Sequence, residues 1–176
     1  MDLIVWPEVS SQAPHRGIAL FGGTRFRCAL GRRGVRADKR EGDGATPAGR
    51  WAIQRVLYRA DRLSAPRTRL PLAMIARDDG WCDDSGDPRY NRPVRLPHAS
   101  GAERLWRDDG VYDIVAVLAF NLNPVVPDAG SAIFLHLARP DYGATEGCVA
   151  LAMPDLLSVL QAADGTSRVC AQAGAV

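Results

Sequence analysis

Tyr112-Asp113-Ile114-Val115-Ala116-Val117-Leu118-Ala119-Phe120 is the stretch that decides the fold. Apolar residues run through it without alternating with polar ones. A strand of this kind is expected to be covered on both faces, and hence to lie at the centre of its sheet. A turn around Asn123-Pro124 to Gly130 leads to a second strand, Ala132 to Leu137. Working upstream, Ile18 to Phe21, the pair Gly22-Gly23, and Thr24 to Leu30 read as a hairpin, with Phe26, Cys28 and Leu30 on one face. Glu41-Gly42-Asp43-Gly44-Ala45-Thr46-Pro47-Ala48-Gly49 is a loop, followed by a strand from Trp51 to Val56. Downstream, Pro154 near the start of an apolar run and Asp155 in its first turn predict a short helix over 154–161. With no alternation of strands and helices and no internal repeat, the chain is expected to be one mainly β domain spanning 1–176.

Composition agrees with one compact core. The chain has 176 residues, of which 47% are hydrophobic and 24% charged, which suits a globular protein and argues against disorder. A net charge of +2, with Lys39 as the only lysine and the arginines scattered, gives no stripe for nucleic acid. The four cysteines, 28, 82, 148 and 170, form no CxxC and show no zinc-type spacing with histidine. Asp78-Asp79 and Asp83-Asp84 lack the ordered spacing of oxygen ligands, so no metal is expected there. His15 and His98 lie in polar, proline-rich surroundings and read as surface residues. Met1 to Pro7 has no basic n-region and no sustained apolar run, so it does not read as a secretory signal, and no stretch is long enough for a transmembrane segment. Residence inside the cell, export by another route, and a leader preceding this sequence all stay open.

Chemistry concentrates late in the chain. In Ile133-Phe134-Leu135-His136-Leu137, the period of two puts His136 beside Phe134 and opposite the aliphatic row Ile133, Leu135 and Leu137. A short loop later, Thr145-Glu146-Gly147-Cys148-Val149-Ala150-Leu151 places a cysteine just after a glycine, at the entry to an apolar strand. Read singly, His136 fits a hydrogen-bonded core histidine and Cys148 a small core residue. Read together they supply a base and a nucleophile, with amides around Gly147 and Cys148 as donors to an oxyanion. Residues 77–98 read as a long irregular loop capping such a site, in which Trp81, Tyr90 and Arg92 either pack the loop or bind substrate, Arg92 through a peptide carboxylate.

A histidine ending an apolar strand, followed by Ser/Thr-His-Gly-Cys, is the signature of the YkuD-type L,D-transpeptidase catalytic domain. The chain resembles that family through His136, Thr145, Gly147 and Cys148, and through Thr46-Pro47-Ala48-Gly49, which resembles the family's Thr-Pro-x-Gly turn. The likeness runs from roughly Gly17 to Leu160. Three features depart from the pattern: Glu146 stands where the family has histidine, the segment from His136 to Thr145 is shorter, and Ala150 replaces an Arg or Asn. In an extended segment Glu146 would share a face with Cys148 and raise the thiol pKa; alternatively it would orient His136.

The resemblance implies a β-sandwich with one or a few short helices. It implies a cysteine enzyme without cofactor that joins donor and acceptor stem peptides of peptidoglycan through a thioester, in the periplasm or cell wall, with carbapenems as inhibitors. The altered Ala150 makes a donor cut after L-Ala (a 1-3 link to diaminopimelate) an alternative to the usual 3-3 link. A hydrolase on the same scaffold (endopeptidase, carboxypeptidase or amidase-like) and a non-catalytic wall-binding module are the competing readings.

Overall fold

A computed structural model describes residues 1–8 and 12–174. β1 (Leu3–Pro7), β2 (Arg16–Phe21) and β3 (Thr24–Ala29) open the chain, and the last two form the expected hairpin around Gly22 and Gly23, both at positive φ. The two-residue strands β4 (Val35–Arg36) and β5 (Thr46–Pro47) pair with each other in the loop that follows. β6 (Gly49–Tyr58) is the longest strand, and β7 (Leu72–Met74) lies along its far end. β8 (Asp79–Cys82), β9 (Pro93–Arg95) and β10 (Ala102–Arg104) make a separate small sheet. Then come β11 (Ile114–Leu118), β12 (Phe134–Leu137), β13 (Val149–Leu151), α1 (Met153–Ala162) and β14 (Arg168–Ala171).

The large sheet runs β11-β12-β13-β3-β2-β1-β14-β6-β7, and β11 also pairs with β6. β6 makes that closure by serving two neighbours. Its first residues, Gly49 to Ala52, pair with β14, and from Ile53 to Tyr58 it pairs with β11, with a register shift near Leu118. The two layers of the sandwich are therefore joined at their edges. Closure satisfies backbone groups that a free edge would leave open.

β11 separates two apolar clusters, which is why its sequence does not alternate. Ile114, Ala116 and Leu118 face the main core with Leu3, Val5, Leu135 and Leu151, and α1 adds Leu156, Val159 and Leu160. Val115 and Val117 face a second cluster with Trp81, Tyr112, Phe134 and Cys148. β12 divides in the same way, Leu135 and Leu137 going to the first cluster and Phe134 to the second. The second face is where side chains with chemistry can gather.

The segment 77–98 differs from expectation. It holds two short strands among its turns: β8 pairs antiparallel with β9 and with β10 just beyond the segment, and Trp81, Cys82 and Tyr90 are buried. Its strands are three or four residues long and separated by Asp/Gly/Pro turns, which reads as loop in a sequence. The helix starts one residue before the predicted span and ends one after it, with Pro154 in its first turn. No helix among the described residues is long and apolar enough to cross a membrane.

Candidate active site

Parallel pairing of β12 and β13 sets His136 opposite Ala150 and Leu135 opposite Val149. One step back, Cys148 comes opposite Phe134, and Phe134 N donates to Cys148 Sγ at 3.3 Å. His136 lies two residues beyond Phe134 on the same face, so it and Cys148 are diagonal neighbours across the parallel pair. Both residues are nearly enclosed, with 5% and 6% of their surface exposed. Both line one cavity of about 530 Å³, with Tyr112, Glu103, Arg107 and Arg139 in its wall. Two adjacent strands thus deliver a thiol and an imidazole to one hollow.

The imidazole is oriented by backbone. His136 Nδ1 is 2.9 Å from the carbonyl oxygen of Leu137, which can only accept, so Nδ1 carries the proton and Nε2 keeps a lone pair. The edge of the ring meets Tyr112 at 5.0 Å. Burial pushes the His136 pKa down to about 4. Burial likewise pushes the Cys148 thiol up to about 12, and the Glu103 carboxylate adds in the same direction. The resting pair is therefore a neutral thiol and a neutral imidazole. Sγ donates to Ala132 O at 3.2 Å, and among the described residues no hydrogen bond joins it to His136. Attack on a carbonyl then requires the thiol to turn from Ala132 and release its proton as the bond forms.

A buried neutral histidine ties stability to pH. Its folded pKa lies below its ordinary 6.5, so the unfolded chain binds more protons between that value and about 4. This contribution is fully present above pH 6.5 and is lost as pH falls through that window, a loss on the order of 3 kcal/mol. Urea titrations from pH 7 to 4 should show it, with a shallower slope in His136→Gln.

The Cys148 loop is locked against the Thr46-Pro47 turn. Gly147 sits at φ +140°, and a Cβ there would lie 2.8 Å from the carbonyl oxygen of Ala45. Glycine is thus required by an intramolecular backbone approach. Thr145 Oγ1 donates to Cys148 O at 2.6 Å and accepts from Gly147 N at 3.2 Å. Thr145 also bridges to Gly31, whose amide donates to Thr46 Oγ1. Gly147→Ala should destabilise the fold by roughly 2–4 kcal/mol, read from denaturant midpoints, because strain and overlap act together. With the Gly147 amide committed to Thr145, only that of Cys148 carries no hydrogen bond among the described residues.

Several expectations are corrected. Glu146 lines the same cavity as Cys148, but its side chain is 74% exposed and pairs with Arg32, and the carboxylate that adds to burial in raising the thiol is that of Glu103. Glu146 does not orient His136 either, the Leu137 carbonyl filling that place. Glu146→Gln should leave turnover and its pH profile within a few-fold of wild type, as a surface ion pair allows. Arg92 does not reach the cavity: it donates to Leu122 O at 2.7 Å and lines a different hollow with Trp81. Trp81 is buried, packs edge-on against Phe134 at 5.2 Å and donates to Asn91 Oδ1. The Tyr90 hydroxyl donates to Glu41 and accepts from Gly130 N, so it braces the wall without lining it.

Other residues emerge only in three dimensions. Asn91 is buried, accepts from Trp81 Nε1 and from Ala132 N, and donates to Phe120 O and Asn121 O. It thereby fixes Ala132, which holds the strained φ of +52° and presents its carbonyl to the thiol. Tyr112, at the start of the quoted central strand, packs on His136 and donates to Glu103 at 2.6 Å. Residues 21–169 match the YkuD family, described as the L,D-transpeptidase catalytic domain. No curated protein matches the chain.

Proposed function

Since the chain belongs to the YkuD family of L,D-transpeptidase catalytic domains, we propose that it transfers peptidoglycan stem peptides through a thioester on Cys148. One observation carries this reading: Cys148 and His136 open into the same cavity, with His136 Nε2 left as a base by the Nδ1 bond to Leu137 O. His136 takes the thiol proton as sulfur attacks the carbonyl of an L-to-D peptide bond. The Cys148 amide donates to the tetrahedral oxyanion. Collapse breaks the C–N bond, His136 returns the proton to the leaving D-amino acid, and a thioester remains. The amine of an acceptor stem attacks it, the proton passes again through His136, and the thiol is regenerated.

Cavity charge supports a peptide rich in carboxylates and amines. Lys39, Arg104, Arg107 and Arg139 supply positive charge, while Glu41, Asp83, Glu103 and Glu146 supply negative charge. Ala150 contributes no donor beside the cysteine, so the stem's carboxylates fall to Arg107 and Arg139. That different placement favours a donor other than the usual tetrapeptide, cut after L-Ala to make 1-3 links, with the 3-3 link as the alternative outcome. The substrate places the working protein in the periplasm or cell wall.

Incubation of purified sacculi with the enzyme, digestion to muropeptides and mass spectrometry tests the reading. New dimers are expected, and their fragmentation assigns the link. Loss of existing links would identify a hydrolase, and unchanged muropeptides would leave a binding module.

A further inference from the structure

The small sheet carries a second group of reactive side chains that acyl transfer does not use. Cys82 ends β8, Asp87 lies between β8 and β9, and His98 lies between β9 and β10. The thiol sulfur, a carboxylate oxygen and a ring nitrogen from these three lie within 4.8 Å of one another. His98 Nε2 is 3.2 Å from Asp87 Oδ2. Arg89 N holds the other carboxylate oxygen, Oδ1, at 2.6 Å, which turns Oδ2 toward the histidine. Ser100 Oγ donates to that same Oδ2 at 2.6 Å and lies 3.8 Å from Cys82 Sγ. His98 is thus no free surface residue; its side chain is 17% exposed and that of Asp87 14%, while Cys82 is fully buried.

A hydrogen-bonded Ser-Asp-His group explains part of this arrangement but leaves out the thiol. The contacts of Cys82 Sγ, 3.8 Å to Ser100 Oγ and 3.9 Å to Asp84 O, are long even for sulfur. A metal ion accounts for all three groups. Zinc bonds of about 2.0 Å to nitrogen or oxygen and 2.3 Å to sulfur set tetrahedral ligand atoms roughly 3.3–3.6 Å apart, so the widest pair of the cage closes by up to about 1.3 Å on binding. One sulfur, one nitrogen and one oxygen form a borderline-soft set that favours zinc-class ions over calcium or magnesium.

We propose that Cys82, Asp87 and His98 form a binding site for a zinc-class divalent cation, with the Ser100 hydroxyl or a water completing its coordination. Cys82 releases its proton to solvent on binding, and the ion ties the end of β8 to the two loops that flank β9. The consequence reaches the catalytic cavity. Asp83 follows Cys82 directly, Glu103 sits opposite Trp81 in the sheet, and both Asp83 and Glu103 line that cavity. The ion therefore stiffens one wall of the cavity without touching the reacting atoms.

Cobalt titration of untagged protein tests the site, read by the thiolate-to-cobalt charge-transfer band. A Cys148→Ala background removes the thiol of the other site from the readout. One equivalent of cobalt should produce the band, and zinc should displace it. Adding Cys82→Ser should abolish the band. Because Cys82 is buried, the partly exposed His98 provides a second readout: His98→Gln should weaken cobalt binding at least tenfold, as the loss of one ligand does. Zinc should also raise the melting temperature of the parent, and should not do so in His98→Gln. A folded parent that gives no band, a band that survives Cys82→Ser, or unchanged affinity in His98→Gln overturns the proposal and leaves a hydrogen-bonded cluster.

Discussion

Cys148→Ala should lower turnover on peptidoglycan by roughly 10⁴-fold or more, because removing a nucleophile leaves only binding and oxyanion stabilisation to act. The same change should cost little stability. Sγ makes one hydrogen bond as donor and one as acceptor, and a methyl group suits the apolar cluster of Val115, Val117 and Phe134 that surrounds it. Circular dichroism and a denaturant midpoint close to wild type, together with lost activity, would assign the loss to chemistry. If the thiol were only a core residue, the opposite pattern would appear: lower stability and unchanged muropeptide products.

His136→Gln should lower kcat/KM by about 10²–10⁴-fold, the usual worth of a positioned general base. The pH profile separates this effect from simple disruption. Protonation of His136 removes the base, so the wild-type rate should fall as pH drops toward about 4, well below the 6.5 of an ordinary histidine. The thiol stays protonated up to about 12, so no alkaline limb from thiolate formation should appear at neutral or mildly basic pH. In His136→Gln the acid limb should vanish. A wild-type limb near 6.5 would mean that the imidazole is more open to water than its packing against Tyr112 allows.

The parts of this molecule that follow a simple period could be read from its residues. Continuous apolar character in Ile114–Leu118 corresponds to a strand covered by two clusters, and the alternation around His136 separates Leu135 and Leu137 from Phe134. The family motif pointed to Cys148 and His136, which the pairing of β12 with β13 brings to one cavity. Features that depend on backbone groups or distant contacts were not legible. The group that orients His136 is a carbonyl, which no side-chain pattern encodes. The partner of Glu146 is Arg32, more than a hundred positions away, and no local pattern around the cysteine encodes that pairing. Trp81, Tyr90 and Arg92 looked like loop residues available to substrate, yet the small sheet and Asn91 draw them into packing and backbone hydrogen bonds. Closure through the β6–β11 pairing and the meeting of Cys82, Asp87 and His98 likewise depend on strand register.

Covalent capture is the most direct test that Cys148 is an acyl-accepting nucleophile served by His136. Wild-type protein mixed with a carbapenem, measured as intact mass and then peptide-mapped, should carry one adduct on the peptide containing Cys148. That adduct should form much more slowly in His136→Gln. A folded protein that stays unmodified, or one labelled instead at Cys28, Cys82 or Cys170, would contradict the account.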